Sequence, residues 1–260
     1  MPRGPERNVD YDQVAPTYDE RFAYYAGARE GVGAALVNLI REVDAERALD
    51  VGYWLRILGS LGCPVYGLDF SLGMLRRARA AGVANLIRGN AAALPFSGPM
   101  LDLTFCVNAL HHFADAALFI REARSLLRPG GALAVVGMNP HEGRDRWYLY
   151  EYFAGTRELD LERYPSPGTI TNWMIDAGFD AVRWHVVERL RDNRVGREIL
   201  DEPMLQKNAT SQLSLLTDEQ YSAGIARIRA AVAKAEAIRE EVVFSVDISL
   251  HMVAGFVEKQ

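Results

Sequence analysis

Val65-Tyr66-Gly67-Leu68-Asp69-Phe70-Ser71-Leu72-Gly73-Met74-Leu75-Arg76-Arg77-Ala78 decides the fold of this chain. Its first four residues read as a short buried strand. Met74, Leu75 and Ala78 then recur on one face of a helix over Gly73–Ala81. Upstream, Ala48-Leu49-Asp50-Val51 reads as another strand and Tyr53–Leu61 as its helix. Residues 1–45 read as helical, with Val32, Ala35, Leu36, Leu39, Ile40 and Val43 on one face. Downstream come strands at Leu86–Arg88, Leu101–Val107 and Ala132–Gly137, with a helix at Ala116–Leu127 that Pro129-Gly130-Gly131 stops. Five short apolar strands alternating with helices call for a parallel sheet covered on both faces. With right-handed crossovers this is a doubly wound α/β sheet.

Beyond residue 138 the rhythm changes. The aromatic run Trp147 to Phe153 and a helix at Thr169–Ala177 precede a strand at Ala181–Leu190. A mostly helical stretch follows, clearest over Asp218–Arg239, and then a final strand at Val242–Val257, bent near Ser249-Leu250-His251. The expected organisation is an N-terminal helical cap over 1–45 and a main domain over 46–260, with a helical insertion at about 191–241.

Composition narrows the class. The 260 residues are 49% hydrophobic and 24% charged, so a globular core is expected and disorder is not. The net charge of −5 offers no basic footprint for nucleic acid. No apolar run reaches the ~18 residues of a membrane span. Only Cys63 and Cys106 occur, far apart, which suits a reducing cytoplasm. No cluster has metal-ligand spacing, so no metal is expected.

In a parallel sheet, ligands bind outside the carboxyl ends of the strands. Those ends read Asp50-Val51-Gly52, Asp69-Phe70-Ser71, Gly89-Asn90-Ala91 and Val107-Asn108-Ala109-Leu110-His111-His112. Asp69 stands nineteen residues after Asp50, near the ~20-residue offset of a ribose-binding acid. Alternatively, Asp69 or Ser71 caps the helix beginning near Gly73.

Taken together, Ala48–Gly52, Tyr66–Leu75, Gly89-Asn90-Ala91-Ala92-Ala93-Leu94-Pro95-Phe96, Asn108–Phe113 and Leu127-Arg128-Pro129-Gly130-Gly131 resemble, in order, the motifs of class I S-adenosylmethionine-dependent methyltransferases. Tyr11-Asp12-Gln13-Val14-Ala15-Pro16-Thr17-Tyr18-Asp19 is similar to the lead-in helix of that family. The resemblance implies a Rossmann-like seven-stranded sheet whose last strand runs antiparallel, with S-adenosylmethionine across the edge of strands one, two and four. It implies that Asp50 orients the cofactor's amino group, Gly52 lies under its methionine part, and Asp69 holds the ribose. Phe70 and Met74 would flank the adenine, and Ala91 would meet it through its N–H. Asn90 stands where the family has an acid, and its amide still offers an acceptor oxygen. Asn108 would lie near the methionine part, and Tyr18 would close over the cofactor.

One stretch departs from the family. After Asp50-Val51-Gly52 the glycine-rich turn is replaced by Tyr53-Trp54-Leu55, about four residues shorter. Residues 52–64 still suffice for a parallel crossover. Three readings stand: a rebuilt tighter loop, a scaffold that has lost the cofactor, or a loop absent from this sequence. In a real shortened turn, Tyr53 or Trp54 is expected to project toward the volume of the cofactor's methionine end.

Methyl transfer to a small-molecule acceptor is the expected activity. The alternative is a non-catalytic methyltransferase-like binding protein. A nicotinamide-dependent enzyme is the runner-up fold, but it wants a Gly-x-Gly-x-x-Gly turn that is missing here. His111 and His112 are the candidate catalytic residues, since a neutral imidazole can take a proton from an incoming nucleophile. A strand-end capping role is the bland reading of the same pair. The Trp147–Phe153 run is either pocket lining or core. The arginines at 183–197 alternate with acids and read as a solvated surface. Residues 225–241 suit a cap helix or a homodimer contact, and balancing acids argue against a membrane surface.

Overall fold

The computed structural model describes residues 9–15, 30–52, 54 and 63–259. In chain order these form α1 (Tyr11–Val14), α2 (Glu30–Val43), β1 (Ala48–Val51), β2 (Val65–Asp69), α3 (Leu72–Ala80), β3 (Leu86–Arg88), β4 (Leu101–Val107), α4 (Ala116–Leu126) and β5 (Leu127–Met138). There follow β6 (Arg146–Trp147), α5 (Tyr148–Tyr152), α6 (Thr156–Arg163), α7 (Pro167–Asp176), β7 (Ala181–Val195), α8 (Ser211–Ser214), α9 (Asp218–Ala237) and β8 (Val243–Phe256). Two compact units contain them. One holds residues 27–139, 164–188 and 249–260; the other holds 1–26, 140–163 and 189–248. The expected boundary at residue 45 coincides with neither, because α2 belongs with the sheet, and 140–163 joins the segment that follows residue 188.

The first unit is the sheet. Its strands lie in the order β3-β2-β1-β4-β5-β8, with β7 also paired to β8. The first five are parallel, and Leu250–Phe256 of β8 runs antiparallel against Ala132–Met138 of β5. Side chains alternate between two apolar layers, as strand geometry requires. Leu133, Val135 and Val253 face α4 and α7, packing with Phe119, Ile120, Ile170 and Met174. Ala134, Val136, Leu250 and Met252 face α2, packing with Val32, Leu36, Leu39 and Ile40. Each large side chain so buried contributes about 1.5–3 kcal/mol. The start of α2 is held by Glu188, whose Oε2 accepts the N–H groups of Gly31 (2.7 Å) and Val32 (3.3 Å). Those donors lack partners inside the helix, and a carboxylate there also suits the helix dipole.

Two local expectations are corrected. β5 begins at Leu127 and runs through Pro129-Gly130-Gly131, because the Gly130 N–H donates to Val257 O and the Val257 N–H to Gly131 O. β8 is not bent at Ser249-Leu250-His251; Leu250 and His251 pair regularly with Met138 and Gly137. The implied count of seven strands becomes eight with the two-residue β6, which pairs with Val246 and Asp247.

In the second unit the aromatic run is core. Tyr148 and Tyr152 pack on Phe244, and Phe153 stacks near Tyr221. Gly224 lets α9 lie against Phe153, since a Cβ there would fall 2.1 Å from its ring. Arg189 makes two bonds to Asp247 and Arg197 two to Glu236, all exposed and therefore weakly stabilising. Asp160 differs from these, being fully buried. It accepts from Tyr150 Oη (2.7 Å) and Gln212 Nε2 (2.8 Å), with Arg163 at 3.7 Å.

Burial raises the Asp160 carboxyl above its ordinary range despite the two hydrogen bonds and the guanidinium, which act the other way. The folded state therefore binds its proton more tightly than the unfolded chain does. That contribution is full below the unfolded value of about 4 and is lost as pH rises through the folded one. Asp160→Asn keeps an acceptor and removes the charge, so the difference in thermal midpoint between variant and native protein should shift in the variant's favour as pH rises from 4 to 7. A difference constant across that range would contradict this account.

Candidate functional site

Register brings the strand ends together at one edge of the sheet unit. Val51 pairs with Leu68, Asp69 with Arg88, and Val107 with Val136. Gly52 therefore leaves β1 beside the end of β2, and its N–H donates to Leu68 O (2.9 Å). Its φ is +95°, and an added Cβ would lie 2.6 Å from the Cβ of Ala109. Only glycine fits, and it presents bare backbone at the edge.

Asp69 ends β2, and its Oδ1 accepts the Ser71 N–H (2.8 Å). Ser71 is the cap of α3, accepting from Met74 N (3.1 Å). Capping thus falls to Ser71 and Asp69 organises the turn before it. Phe70 is 70% exposed at the tip of that turn, with the Arg88 guanidinium 6.0 Å from its ring centre. Met74, by contrast, is 1% exposed on α3. Asn90 is exposed and its Oδ1 accepts the Ala92 N–H (2.9 Å), while Ala91 is buried behind it. Asn108 follows β4 with φ +49°, its N–H donating to Val136 O (2.8 Å).

Asp50 is bonded to a residue of the stretch that follows Gly52. This carboxylate is fully buried, and Oδ2 accepts the Trp54 N–H at 2.6 Å. Trp54 is itself buried, in the apolar layer with Leu36, Leu39 and Phe105. Its ring thus joins the α2 side of the core, which leaves Tyr53 as the residue of the expected pair that could project toward the cofactor volume. Tyr18 and Tyr53 lie outside the described residues, as does the expected helix at 55–61. Beside Asp50, burial and then the aspartate charge push the Cys106 thiol well up, so that thiol is no nucleophile.

His111 and His112 sit on a one-turn 3-10 helix after β4, closed by the His112 N–H on Ala109 O (2.8 Å). They separate in position. His111 stacks on Tyr164 (centres 3.8 Å apart, planes at 19°) and lines a small, partly open pocket. His112 does not line it. Leu110, Val135, Ile170 and Val253 form apolar walls, and a second imidazole, His251 of β8, faces the same space. Sequence reasoning missed His251 because its approach depends on the distant pairing of β8 with β5. The sequence offers only a histidine set between the apolar Leu250 and Met252; its 4% exposure emerges from the fold. Among the described residues, no group of three or more His, Cys, Asp or Glu could hold a metal, and no helix is long and apolar enough to cross a membrane.

Residues 49–135 match the family model of a methyltransferase domain. A biotin biosynthesis bifunctional protein of Cellvibrio japonicus is 30% identical over 142 residues, 51% of this chain and 28% of that protein. A demethylmenaquinone methyltransferase of Renibacterium salmoninarum is 26% identical over 198 residues, 67% of this chain and 84% of that one. In three of the curated relatives the match spans about a third or less of the relative's own length, at 28%, 34% and 33%. The crystal structure of a putative methyltransferase from an antibiotic biosynthesis pathway of Anabaena variabilis shares the fold, with a TM-score of 0.66 at 18% identity over 86% of this chain and 96% of that one.

Proposed function

We propose that this chain, whose residues 49–135 match the model of a methyltransferase domain, is a class I S-adenosylmethionine-dependent methyltransferase and transfers a methyl group to a small-molecule acceptor. The observation that carries this is the strand edge where Asp69, the bare backbone of Gly52 and the exposed Phe70 ring stand together. These residues fit the nucleoside half of the cofactor. Asp69 would accept from the ribose hydroxyls, Phe70 would cover one face of the adenine, and Asn90 with the Ala91 backbone would meet its edge. The backbone of Gly52, in its left-handed turn, would lie under the methionine half. Asn108 would stand beside that half.

The cofactor supplies an electrophilic methyl group, so the chain's own task is to position an acceptor, exclude water and receive a proton. His111 is the imidazole of the pair placed to receive it, because it lines the cavity. The net charge of −5 favours a small acceptor over nucleic acid and gives no reason for a membrane surface. Residues 225–241 turn Ile228 and Val232 inward, and a homodimer contact through the exposed face and a cytoplasmic setting accord with this reading.

A second reading is favoured by Asp50. Its carboxylate is buried and engaged with the Trp54 N–H, as in a scaffold that holds its turn closed without a cofactor. Calorimetric titration of the full chain with S-adenosylmethionine and its demethylated product separates the two. Binding with micromolar affinity supports the enzyme reading, and no heat at millimolar cofactor leaves the non-catalytic one.

A further inference from the structure

We propose that Asn90 removes selection for the 6-amino group of adenine from the base half of the cofactor site, so that a 6-oxo purine fits there at least as well. This rests on the methyl-transfer reading above, which seats the base between Phe70 and the Asn90–Ala91 turn. The pairing of β2 with β3 brings the two turns side by side. Asp69 lies opposite Arg88, the Gly89 N–H donates to Asp69 O (3.1 Å), and Phe70 and Asn90 follow directly. Both residues are exposed.

The orientation of the Asn90 amide is the central observation. Its Oδ1 accepts the Ala92 N–H at 2.9 Å, and its main-chain oxygen accepts the Ala93 N–H at 3.0 Å. Asparagine closes turns of this kind by bonding to the backbone two residues on. The rotation of the amide is thereby fixed, since a flip would set its NH2 group against the Ala92 N–H, donor against donor. What remains for a ligand is Nδ2, which donates and cannot accept. The next donor along the chain is the Ala91 N–H, which no acceptor meets among the described residues. The edge offered to the base therefore carries two adjacent donors.

An aspartate at this position would hold the same turn with one oxygen and offer the other to a ligand. It would accept from an exocyclic amine and repel a carbonyl. Asn90 removes that selection. Adenine presents N1 as an acceptor and its 6-amino group as a donor, so one protein donor is served and the other faces N–H. A 6-oxo base presents a carbonyl whose two lone pairs can take both, and its N1–H is left to water at this exposed turn. Stacking on Phe70 serves either ring.

The test is calorimetric titration of the full chain with S-adenosylhomocysteine and with its 6-oxo counterpart, S-inosylhomocysteine. The unsubstituted chain should bind the 6-oxo form within threefold of the adenine form, or more tightly. Asn90→Asp keeps the acceptor for the Ala92 N–H, so its thermal midpoint should stay close to the parent's while it favours the adenine form at least tenfold. The side-chain NH2 signals of Asn90 in NMR spectra, assigned by their loss in that variant, should shift when the 6-oxo form is added to the parent. A parent preference for adenine beyond threefold, a ratio that Asn90→Asp leaves unchanged, or unmoved Asn90 NH2 signals would each overturn the proposal. Failure of the unsubstituted chain to bind either form would instead overturn the reading on which it rests.

Discussion

Replacing Gly52 by alanine is expected to destabilise the sheet unit by about 3 kcal/mol and to remove measurable cofactor binding. Two separate costs combine. A side chain at φ +95° is strained by about 1–2 kcal/mol. The new Cβ also meets that of Ala109 at 2.6 Å, an overpacking that costs about 1–3 kcal/mol. The two can be resolved experimentally. Ala109→Gly in the same chain removes the collision and leaves the strain, so the double variant should recover roughly half of the lost stability. Denaturant midpoints measure this directly. A Gly52→Ala protein as stable as the parent would mean that the turn relaxes freely, and the argument for a rigid glycine cradle would fail.

Asp69→Ala should weaken S-adenosylmethionine by ten- to a hundredfold, the loss expected when hydrogen bonds to a charged acceptor, about 1.5–3 kcal/mol, are removed. The same substitution takes away the acceptor of the Ser71 N–H and so loosens the turn before α3. Asp69→Asn separates these effects, because an amide oxygen still accepts from Ser71 while the charge is gone. Its affinity should fall between those of the parent and the alanine variant, with the thermal midpoint close to the parent's. Parental affinity in both variants would remove Asp69 from the site.

The parts of this molecule that were legible in its sequence are those governed by local rules. β3 and β4 fall where apolar runs and flanking turn residues put them, and the carboxyl ends of parallel strands marked Gly52, Asp69, Asn90 and Asn108 as neighbours. Ser71 and Asp69 could not be ranked as caps from sequence, since either spacing satisfies a helix start; the Ser71 to Met74 bond decides it. Pro129-Gly130-Gly131 read as a break because its strand bonds come from Val257, more than a hundred residues away. Met74 matches a ligand-flanking position in the motif, and its 1% exposure is a matter of helix phase that pattern alone leaves open. His251 could not be placed from sequence because its neighbours follow from the register of β8 on β5.

That register also sets the order in which the molecule can be made. β5 emerges from synthesis with one apolar edge, Ala132 to Val136, and its antiparallel neighbour starts at Leu250, which follows Met138 by 112 positions. At about 5–20 residues per second, that edge waits on the order of 6–22 s for its cover. An uncovered apolar strand edge is a template for pairing with other chains. The nascent protein is thus most exposed to aggregation in this interval, and removal of residues 249–259 would make the interval permanent.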